Sequence, residues 1–375
     1  MGIIIGADIV PTISNMELFE NGRIEKLVGK ELLMILQSAD YRIFNLEVPL
    51  TDVISPIKKH GPALYASTKS VVGLKGLGID LFTLANNHIL DQGDAGLQST
   101  MLLLEKCGIS FVGAGNNLQE AKGPFIFEVK GTTYGVYACA EHEFSIATDV
   151  DSGANPFDPL ESLDHVVELK RSCDYVIVLY HGGKEHYRYP SPYLRKVCRK
   201  LIEKGADLVI CQHSHCIGCK EEYKKGTIIY GQGNFLFDDS NSEYWKTGLL
   251  VDIQDDKSIK YIPVKKENEY VRLAVDEVAE KIITDFESRS KEISADRFIE
   301  IRYTQFSKKM RSDYIIYLLG LSGSFAFRAL NKFSGQRLRK YVTEKTIKKR
   351  GLGIRNYIEC EAHRELLLKG IMENE

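Results

Sequence analysis

Several polar residues stand directly after short apolar runs, and their side chains are of the kinds that bind divalent cations. A carboxylate brings negative charge, an asparagine offers a carbonyl oxygen, and a neutral histidine offers a ring nitrogen. For any single position, a helix cap, a turn or a satisfied polar residue is the simpler interpretation. Their occurrence after five separate apolar runs favours one shared metal centre instead. In chain order these residues are Asp8, Asn45, Glu47, Asn86, Asn87, His88, His181, His213 and His215.

The pair His213 and His215 indicates more than one cation. In a strand, residues two apart point to the same face, and in a loop they can reach different metals. Two cations held about 3.5–4 Å apart need a bridging carboxylate with oxygen and imidazole ligands around them. Asp8 and Glu47 can supply that charge, so these residues together favour a two-metal centre.

The apolar runs alternate with helical patterns, which is typical of an α/β domain. In such domains, functional side chains gather on the loops beyond the strand ends. Two later runs, Gly248–Ile253 and Ile259–Val264, predict an antiparallel hairpin and therefore a mixed sheet. The other predicted strands are Ile3–Ile9, Tyr41–Leu46, Leu81–Ala85, Ser110–Gly113, Tyr134–Ala140, Tyr175–Tyr180, Asp207–Cys211 and Thr227–Tyr230.

The sequence changes character after about residue 268, where strand patterns give way to charged, helix-like sequence. We therefore predict a first domain at 1–267 and a basic, mainly helical region at 268–375. Between Arg302 and Arg350, thirteen basic residues stand against two acidic ones. Such a surplus can bind an anionic polymer or a membrane surface. The simpler alternative is a group of helices that pack their apolar faces and leave a solvated basic face.

The composition excludes several classes of protein. A chain of 375 residues with 44% hydrophobic and 27% charged residues is ordinary for a globular protein. The formal net charge of −2 gives no reason to expect a nucleic-acid partner. The sequence shows no signal-peptide pattern and no apolar stretch of membrane-spanning length. Its eight cysteines form no disulfide framework, so we predict a cytoplasmic protein, with peripheral membrane contact through the basic region.

Three of the cysteines raise an alternative metal site. Cys211, Cys216 and Cys219 surround the histidine pair, in a spacing that can hold zinc or an iron–sulfur cluster. The simpler interpretation is that they are small hydrophobic residues in and after a strand.

Four further segments have a distinctive sequence: Asn45–Thr51 (Asn-Leu-Glu-Val-Pro-Leu-Thr), Leu84–Gly93 (Leu-Ala-Asn-Asn-His-Ile-Leu-Asp-Gln-Gly), Val112–Gly115 (Val-Gly-Ala-Gly) and Gly231–Asp238 (Gly-Gln-Gly-Asn-Phe-Leu-Phe-Asp). These segments resemble the bacterial capsule-synthesis CapA proteins, a family associated with poly-γ-glutamate. The resemblance extends from about residue 3 to residue 265. That family is similar to the calcineurin-like metallophosphoesterases, which implies an α/β sandwich of two mixed β-sheets flanked by helices, here with a helical C-terminal extension.

The resemblance also implies a role for each candidate residue. Glu47 stands where the metallophosphoesterase pattern has its bridging aspartate, and Asp8 stands where that pattern begins. His88 is implied as the general acid that protonates the leaving oxygen, and Asp91 can orient it. The implied cofactors are two divalent metal ions, of manganese, iron or zinc. The implied metal ligands are Asp8, Glu47, Asn87, His181, His213 and His215.

One departure from the metallophosphoesterase pattern affects the metals. Val10 stands two residues after Asp8, where that pattern has a ligand histidine. We therefore expect the metal site at Asp8 to be weaker than the site formed by Asn87, His181 and His213. A nearby side chain such as His142 can fill the open position.

Polar residues on further strand-exit loops are candidates for substrate binding. A solvated polar loop or a simple turn explains each of them equally well. The candidates are Asn45, Glu141, His142, Glu143, Glu185, His186 and Asn234.

Two functions compete at this point. The first is a metal-dependent hydrolase that acts on a phosphoester or related bond in capsule or cell-surface polymer metabolism. Its substrate would be phosphorylated or an anionic polymer, and its partners would be capsule-synthesis proteins. The second is a non-catalytic, polymer-binding component of a poly-γ-glutamate synthesis assembly. Metal bound at near-stoichiometric level favours the first, and a metal-free pocket with strong polymer affinity favours the second.

Overall fold

Strands and helices alternate along most of the chain, as the apolar runs predict. The structure is a computed structural model that describes residues 2–237 and 242–372, so Asp238 lies outside the described residues. The strands are β1 (Ile3–Ile9), β2 (Tyr41–Leu46), β3 (Leu81–Thr83), β4 (Ser110–Val112), β5 (Ala114–Gly115), β6 (Phe125–Val129), β7 (Thr132–Ala140), β8 (Gly153–Ala154), β9 (Tyr175–His181), β10 (Leu208–Gln212), β11 (Lys220–Tyr223), β12 (Gly226–Tyr230), β13 (Asn234–Leu236), β14 (Thr247–Ile253), β15 (Ile259–Glu267) and β16 (Tyr270–Leu273). The α-helices are α1 (Met16–Glu20), α2 (Ile24–Val28), α3 (Lys30–Ser38), α4 (Val71–Gly76), α5 (Gly93–Lys106), α6 (Leu118–Ala121), α7 (Ser162–Ser172), α8 (Pro192–Lys204), α9 (Asp276–Glu292), α10 (Phe298–Leu318), α11 (Phe325–Phe333), α12 (Arg337–Glu359) and α13 (Glu361–Met372).

Two mixed β-sheets carry the fold. The first has the strand order β16-β15-β14-β1-β2-β3-β4, and β13 pairs in parallel with the end of β1. The second has the order β11-β12-β10-β9-β7-β6, with antiparallel strands at both edges. The predicted hairpin is the antiparallel pair β14 and β15. The predicted sandwich of two mixed sheets flanked by helices is confirmed.

Apolar side chains fill three layers because the central strands are buried on both faces. Ile5 of β1 and Ile177 of β9 belong to the core between the two sheets. The neighbouring Ile4 points the other way, into the core shared by the first sheet and its helices. Val178 likewise packs among residues of α7 and α8. Successive strand residues alternate between faces, which explains why these strands are continuous apolar runs in the sequence.

Helix α8 shows how local sequence sets the bounds of these elements. Ser191 caps its first turn by accepting a hydrogen bond from the Leu194 amide, and Pro192 occupies the first helical position. Gly205 ends the helix with a φ of 121°, in the left-handed region that favours glycine.

The chain divides into two units, residues 1–299 and 300–375, whereas the sequence predicts the division at 267/268. Helix α9 belongs to the first unit because Ile282 and Phe286 are buried in a core that includes Leu249 and Tyr261. In its described part, the second unit contains α-helices and no strands. Among the helices of the described ranges, none combines the length and the apolar character needed to cross a membrane.

Candidate metal centre

Four polar residues stand in one row across the first sheet, at the carboxyl ends of β1, β2 and β3 and at the start of β13. Asp8 pairs with Asn45 of β2 and with Asn234 of β13, and Asn45 pairs in turn with Thr83 of β3. The register of β1 is irregular just before Asp8, and such irregularities re-aim side chains beside active sites. Glu47 follows β2 directly, so two carboxylates reach the same edge of the sheet.

Three histidines come from the second sheet. His181 ends β9, and His213 and His215 lie on the loop after β10. Both loop histidines have a positive φ, 81° and 50°. This conformation costs a non-glycine residue about 1–3 kcal/mol and is concentrated at functional sites. The turn brings His213 Nδ1 to 3.2 Å from His181 Nε2 and His215 Nδ1 to 2.9 Å from Asn234 Oδ1.

Four potential ligand atoms crowd around one point at His181. Its Nε2 atom lies 3.2 Å from Glu47 Oε1, 3.0 Å from Asn87 Oδ1 and 3.2 Å from His213 Nδ1. A ring nitrogen carries at most one hydrogen, so it can donate to only one of these atoms. Atoms bound at about 2.1 Å to one octahedral cation lie about 3 Å apart. The spacing of these four residues therefore fits a common divalent cation.

A second group of ligand atoms lies beside the first. Glu47, His213 and His215 offer ligand atoms that all lie within 4.8 Å of one another. Asp8 Oδ2 is 3.6 Å from His215 Nδ1. Among the described residues, Asp8 Oδ2 and both Glu47 carboxylate oxygens are buried without a hydrogen-bond partner. Burying carboxylate oxygens without hydrogen bonds is costly, and a bound cation would offset that cost. The residues present therefore fit a bound divalent cation, with Glu47 among its ligands.

Burial and neighbouring charges shift the pKa values of the cluster residues strongly. Burial raises the pKa of Asp8, and the nearby Glu47 carboxylate raises it further. Burial is the largest single influence on the pKa of Glu47 and acts to raise it, but His181, His215 and His88 together hold that pKa below its usual range. Burial lowers the pKa of His213 well below its usual value, so its ring is neutral and can ligate a metal. Burial acts against protonation of His215, yet the Asp8 carboxylate beside it raises the pKa to about 9.

His88 and Asp91 form a pair next to these ligands. His88 Nδ1 lies 2.6 Å from Asp91 Oδ2, which requires a hydrogen between the two atoms. Nδ1 therefore donates to the carboxylate, and Nε2 is the nitrogen left for a substrate. Asn86 shapes this turn, because its Oδ1 accepts a hydrogen bond from the His88 amide.

Two predicted substrate-binding residues, Asn45 and Asn234, contact the ligand candidates directly. Both are almost fully buried. The Asn45 amide donates to Asp8 Oδ1 at 2.8 Å, and its oxygen accepts from Thr83. The Asn234 oxygen is the hydrogen-bond partner of the His215 ring. Both side chains therefore position cluster residues.

The loop that follows β7 approaches the cluster through Glu143. Its Oε2 accepts a hydrogen bond from Asn87 Nδ2 at 3.2 Å, and its Oε1 is 3.8 Å from His213 Nε2. Glu141 is half-buried, and burial raises its pKa. His142 and Glu143 are both exposed.

The remaining loop candidates lie at the rim. Glu185 is exposed. His186 accepts a hydrogen bond from the Trp245 indole at 2.8 Å, and its ring stacks on Tyr244. The His215 and Trp245 rings are 4.8 Å apart, so this aromatic group borders the Asp8 side of the cluster. Val10 is buried in the core between the first sheet and its helices and supplies no ligand.

The cysteine alternative is wrong for the described residues, because no cysteine belongs to their metal-capable group of Glu47, His213 and His215. Cys211 and Cys219 lie in the core between the second sheet and its helices. Burial raises the pKa of the Cys216 thiol to about 11, which disfavours the thiolate that a metal needs.

Lys59 is a site residue that the sequence gives no reason to select. It stands in a polar run with Lys58 and His60, and such a run is normally solvated. Its Nζ nevertheless lies 2.5 Å from Asp91 Oδ1, and its side chain is 3% exposed. Only the folded path of its loop reveals this contact.

The comparisons with known proteins agree with the resemblance in the sequence. Residues 8–239, more than half of the chain, match the family model described as bacterial capsule synthesis protein PGA_cap. The capsule biosynthesis protein CapA of Bacillus anthracis is 29% identical over 214 residues, covering 54% of this chain and 52% of that protein. The PGA biosynthesis protein CapA of Bacillus subtilis (strain 168) is 30% identical over 209 residues, covering 54% of this chain and 55% of that protein. The chain thus spans about half the length of these curated relatives.

Similar solved structures include a hypothetical protein from Thermus thermophilus, with a TM-score of 0.47, 16% identity, and coverage of 71% of this chain and 99% of that one. A phosphatase from Mycoplasma pneumoniae has a TM-score of 0.45 and 15% identity, and covers 72% of this chain and 94% of that one. The family match includes every predicted metal ligand, from Asp8 to His215. The chain therefore belongs to the bacterial capsule synthesis protein PGA_cap family.

Proposed function

We propose that this protein is a metal-dependent hydrolase that acts on a phosphoester or related bond in capsule or cell-surface polymer metabolism. One observation carries the proposal. Both carboxylate oxygens of Glu47 are buried and lack hydrogen bonds within the described residues, amid imidazole and amide ligands and close to a histidine and aspartate pair. This combination suits hydrolysis better than simple binding, because it provides both metal ligands and a group for proton transfer.

The geometry suggests which residues hold each metal. Asn87, His181 and His213 would hold one cation, Asp8 and His215 would hold the other, and Glu47 would bridge them. When bound, the metals would polarise the substrate and lower the pKa of a bound water. The Asn87 amide is already oriented as a ligand would need to be. Glu143 accepts a hydrogen bond from Nδ2, and Oδ1 therefore faces His181.

His88 would deliver the proton to the leaving oxygen. Its Nδ1 is committed to Asp91, so Nε2 is the atom that holds and transfers the proton. His88 lies three residues before Asp91 on the same turn and next to the proposed ligand Asn87, so its ring is adjacent to the residues that would hold the metal.

The family and the two Bacillus relatives supply the biological setting. Their names refer to capsule and PGA biosynthesis, which supports capsule polymer metabolism and capsule-synthesis proteins as partners. The substrate class that fits is a phosphorylated compound or an anionic polymer.

A second function, non-catalytic polymer binding, is favoured by the second unit. Between Arg302 and Arg350 the basic residues number thirteen and the acidic residues two. Phe325 and Phe333 are also exposed, at 80% and 91%. A basic surface with exposed aromatic rings can bind an anionic polymer or a membrane surface without any catalysis.

The proposed hydrolase can be tested with the full chain, stripped of metal and reloaded with Mn²⁺ or Zn²⁺. Turnover would be measured on bis(p-nitrophenyl) phosphate, p-nitrophenyl phosphate and poly-γ-glutamate. We expect metal-dependent turnover that Glu47→Gln abolishes and that Glu168→Gln, a change at an exposed residue of α7, leaves intact. Absence of metal-dependent turnover on phosphoesters, together with tight poly-γ-glutamate binding, would favour the second function.

A further inference from the structure

The long loop that follows β2 is attached to the turn that carries His88. Residues 52–65 contain no helix or strand in the structure. The Ile57 amide donates to the Asp91 carbonyl at 3.1 Å, and the Leu64 amide donates to Asp91 Oδ2 at 2.6 Å. Loops of this length without secondary structure are uncommon in compact domains and are usually functional.

Lys59 lies in this loop and places its ammonium group beside Asp91 and Asn87. Its side chain is 3% exposed, and its ammonium lies 2.5 Å from Asp91 Oδ1 and 3.3 Å from the Asn87 carbonyl oxygen. His88 Nδ1 is 3.4 Å from the ammonium, but this nitrogen already donates to Asp91. The ammonium therefore makes no hydrogen bond to the ring and donates to the other two groups.

These contacts fix the Asp91 carboxylate from both sides. Lys59 holds Oδ1, while the His88 ring and the Leu64 amide hold Oδ2. A carboxylate with hydrogen bonds to both oxygens cannot rotate freely. The His88 ring that donates to this carboxylate is therefore held in one orientation, which fixes the direction of Nε2. The same ammonium holds the carbonyl of Asn87, whose amide belongs to the ligand cluster.

We propose that Lys59 is a positioning residue, which acts through Asp91 to hold His88 Nε2 towards the metal cluster. This inference rests on the proposed hydrolase function. Lys59 makes the pair of His88 and Asp91 a three-residue unit that spans the loop and the turn. Burying an ammonium group costs desolvation free energy. The orientation of His88 through Asp91 explains why Lys59 is buried here nevertheless.

Lys59→Met tests the inference, because it removes the ammonium and keeps most of the side-chain volume. Lys58→Met is the matched control, since the neighbouring lysine is exposed. With Mn²⁺ and bis(p-nitrophenyl) phosphate, we expect Lys59→Met to lower kcat about 10–100-fold, the usual effect of losing a residue that orients a site group. KM and bound metal should stay within about twofold, because the ligands are untouched. Lys59→Arg should recover part of the lost kcat.

A second measurement does not depend on turnover. The ¹⁵N resonances of the His88 ring, assigned with His88→Gln, should change in Lys59→Met and stay unchanged in Lys58→Met. Should Lys59→Met fail to fold, Lys59→Gln, which keeps one donor and a similar length, takes its place in both measurements.

The outcomes separate the two proposals. A wild-type protein without turnover contradicts the hydrolase function, and the His88 spectra then decide the inference alone. Unchanged His88 resonances in Lys59→Met overturn the inference whether or not the protein is active. Changed resonances with unchanged kcat in an active protein also overturn it.

Discussion

At the scale of single residues, Glu47 is the side chain whose surroundings are most unusual. It is fully buried, and within the described structure neither of its carboxylate oxygens has a hydrogen-bond partner. Nearby histidines hold its pKa below the usual range, so it remains a carboxylate. A buried, ionised and unsatisfied side chain is explained most simply by a cation that is bound when the protein works.

His88 gives the clearest prediction at this scale. His88→Ala should lower turnover about 10²–10⁴-fold, because it removes the proton-transfer group and leaves the ligands in place. Metal content measured on the same samples should be unchanged. His363→Ala is the control, since this exposed histidine of α13 is not one of the candidate site residues. Loss of bound metal in His88→Ala would show instead that His88 is a ligand.

At the scale of elements, strand β1 links the two sheets beneath the cluster. The irregular register before Asp8 leaves the Gly6 carbonyl to accept a hydrogen bond from Gln212 of the second sheet. Gly6 also packs against Phe44, and a Cβ atom placed on Gly6 would lie 1.8 Å from that ring. The strand can hold Asp8 in the row only because residue 6 has no side chain.

Gly6→Ala should therefore destabilise the protein, with a cost of about 1–3 kcal/mol from overpacking. The free energy of unfolding would be measured in urea. Gly353→Ala is the matched control, because a Cβ atom there meets nothing within 4 Å and alanine favours its helix. Equal stability of Gly6→Ala and the wild type would show that the β1 contact with Phe44 is not tightly packed.

The elements also show how far the sequence could predict the structure. Apolar runs predicted the central strands because those strands are buried on both faces. Polar residues after the runs predicted Asp8 and Glu47, since strand ends gather at one sheet edge. Lys59 could not be predicted, because its burial depends on the path of a loop without periodicity. The division at 267/268 missed α9, whose attachment through Ile282 and Phe286 is a tertiary contact.

At the scale of the whole molecule, the charge is uneven along the sequence. The chain has a formal net charge of −2, while residues 302–350 carry thirteen basic and two acidic side chains. Charge of this density attracts polyanions over several ångströms and is screened by salt. The second proposed function, polymer binding by residues 302–350, would rest on this charge and not on any reaction at the metals.

Reversing three exposed charges, Lys348→Glu, Lys349→Glu and Arg350→Glu together, should weaken binding to poly-γ-glutamate. The wild-type affinity should fall as salt rises, and turnover on a small phosphoester should be unaffected. The matched control reverses three exposed lysines of the first unit, Lys58, Lys106 and Lys225. If both triple variants bind the polymer as tightly as the wild type, the basic region is a solvated surface.

The proposed two-metal centre depends on Glu47. Calorimetric titration of the metal-free protein with Mn²⁺ tests it most directly. We predict two sites of unequal affinity, the weaker one at Asp8 because Val10 supplies no ligand, and loss of the tight site in Glu47→Gln. An absence of binding, or binding that is identical in the wild type and Glu47→Gln, would contradict the account.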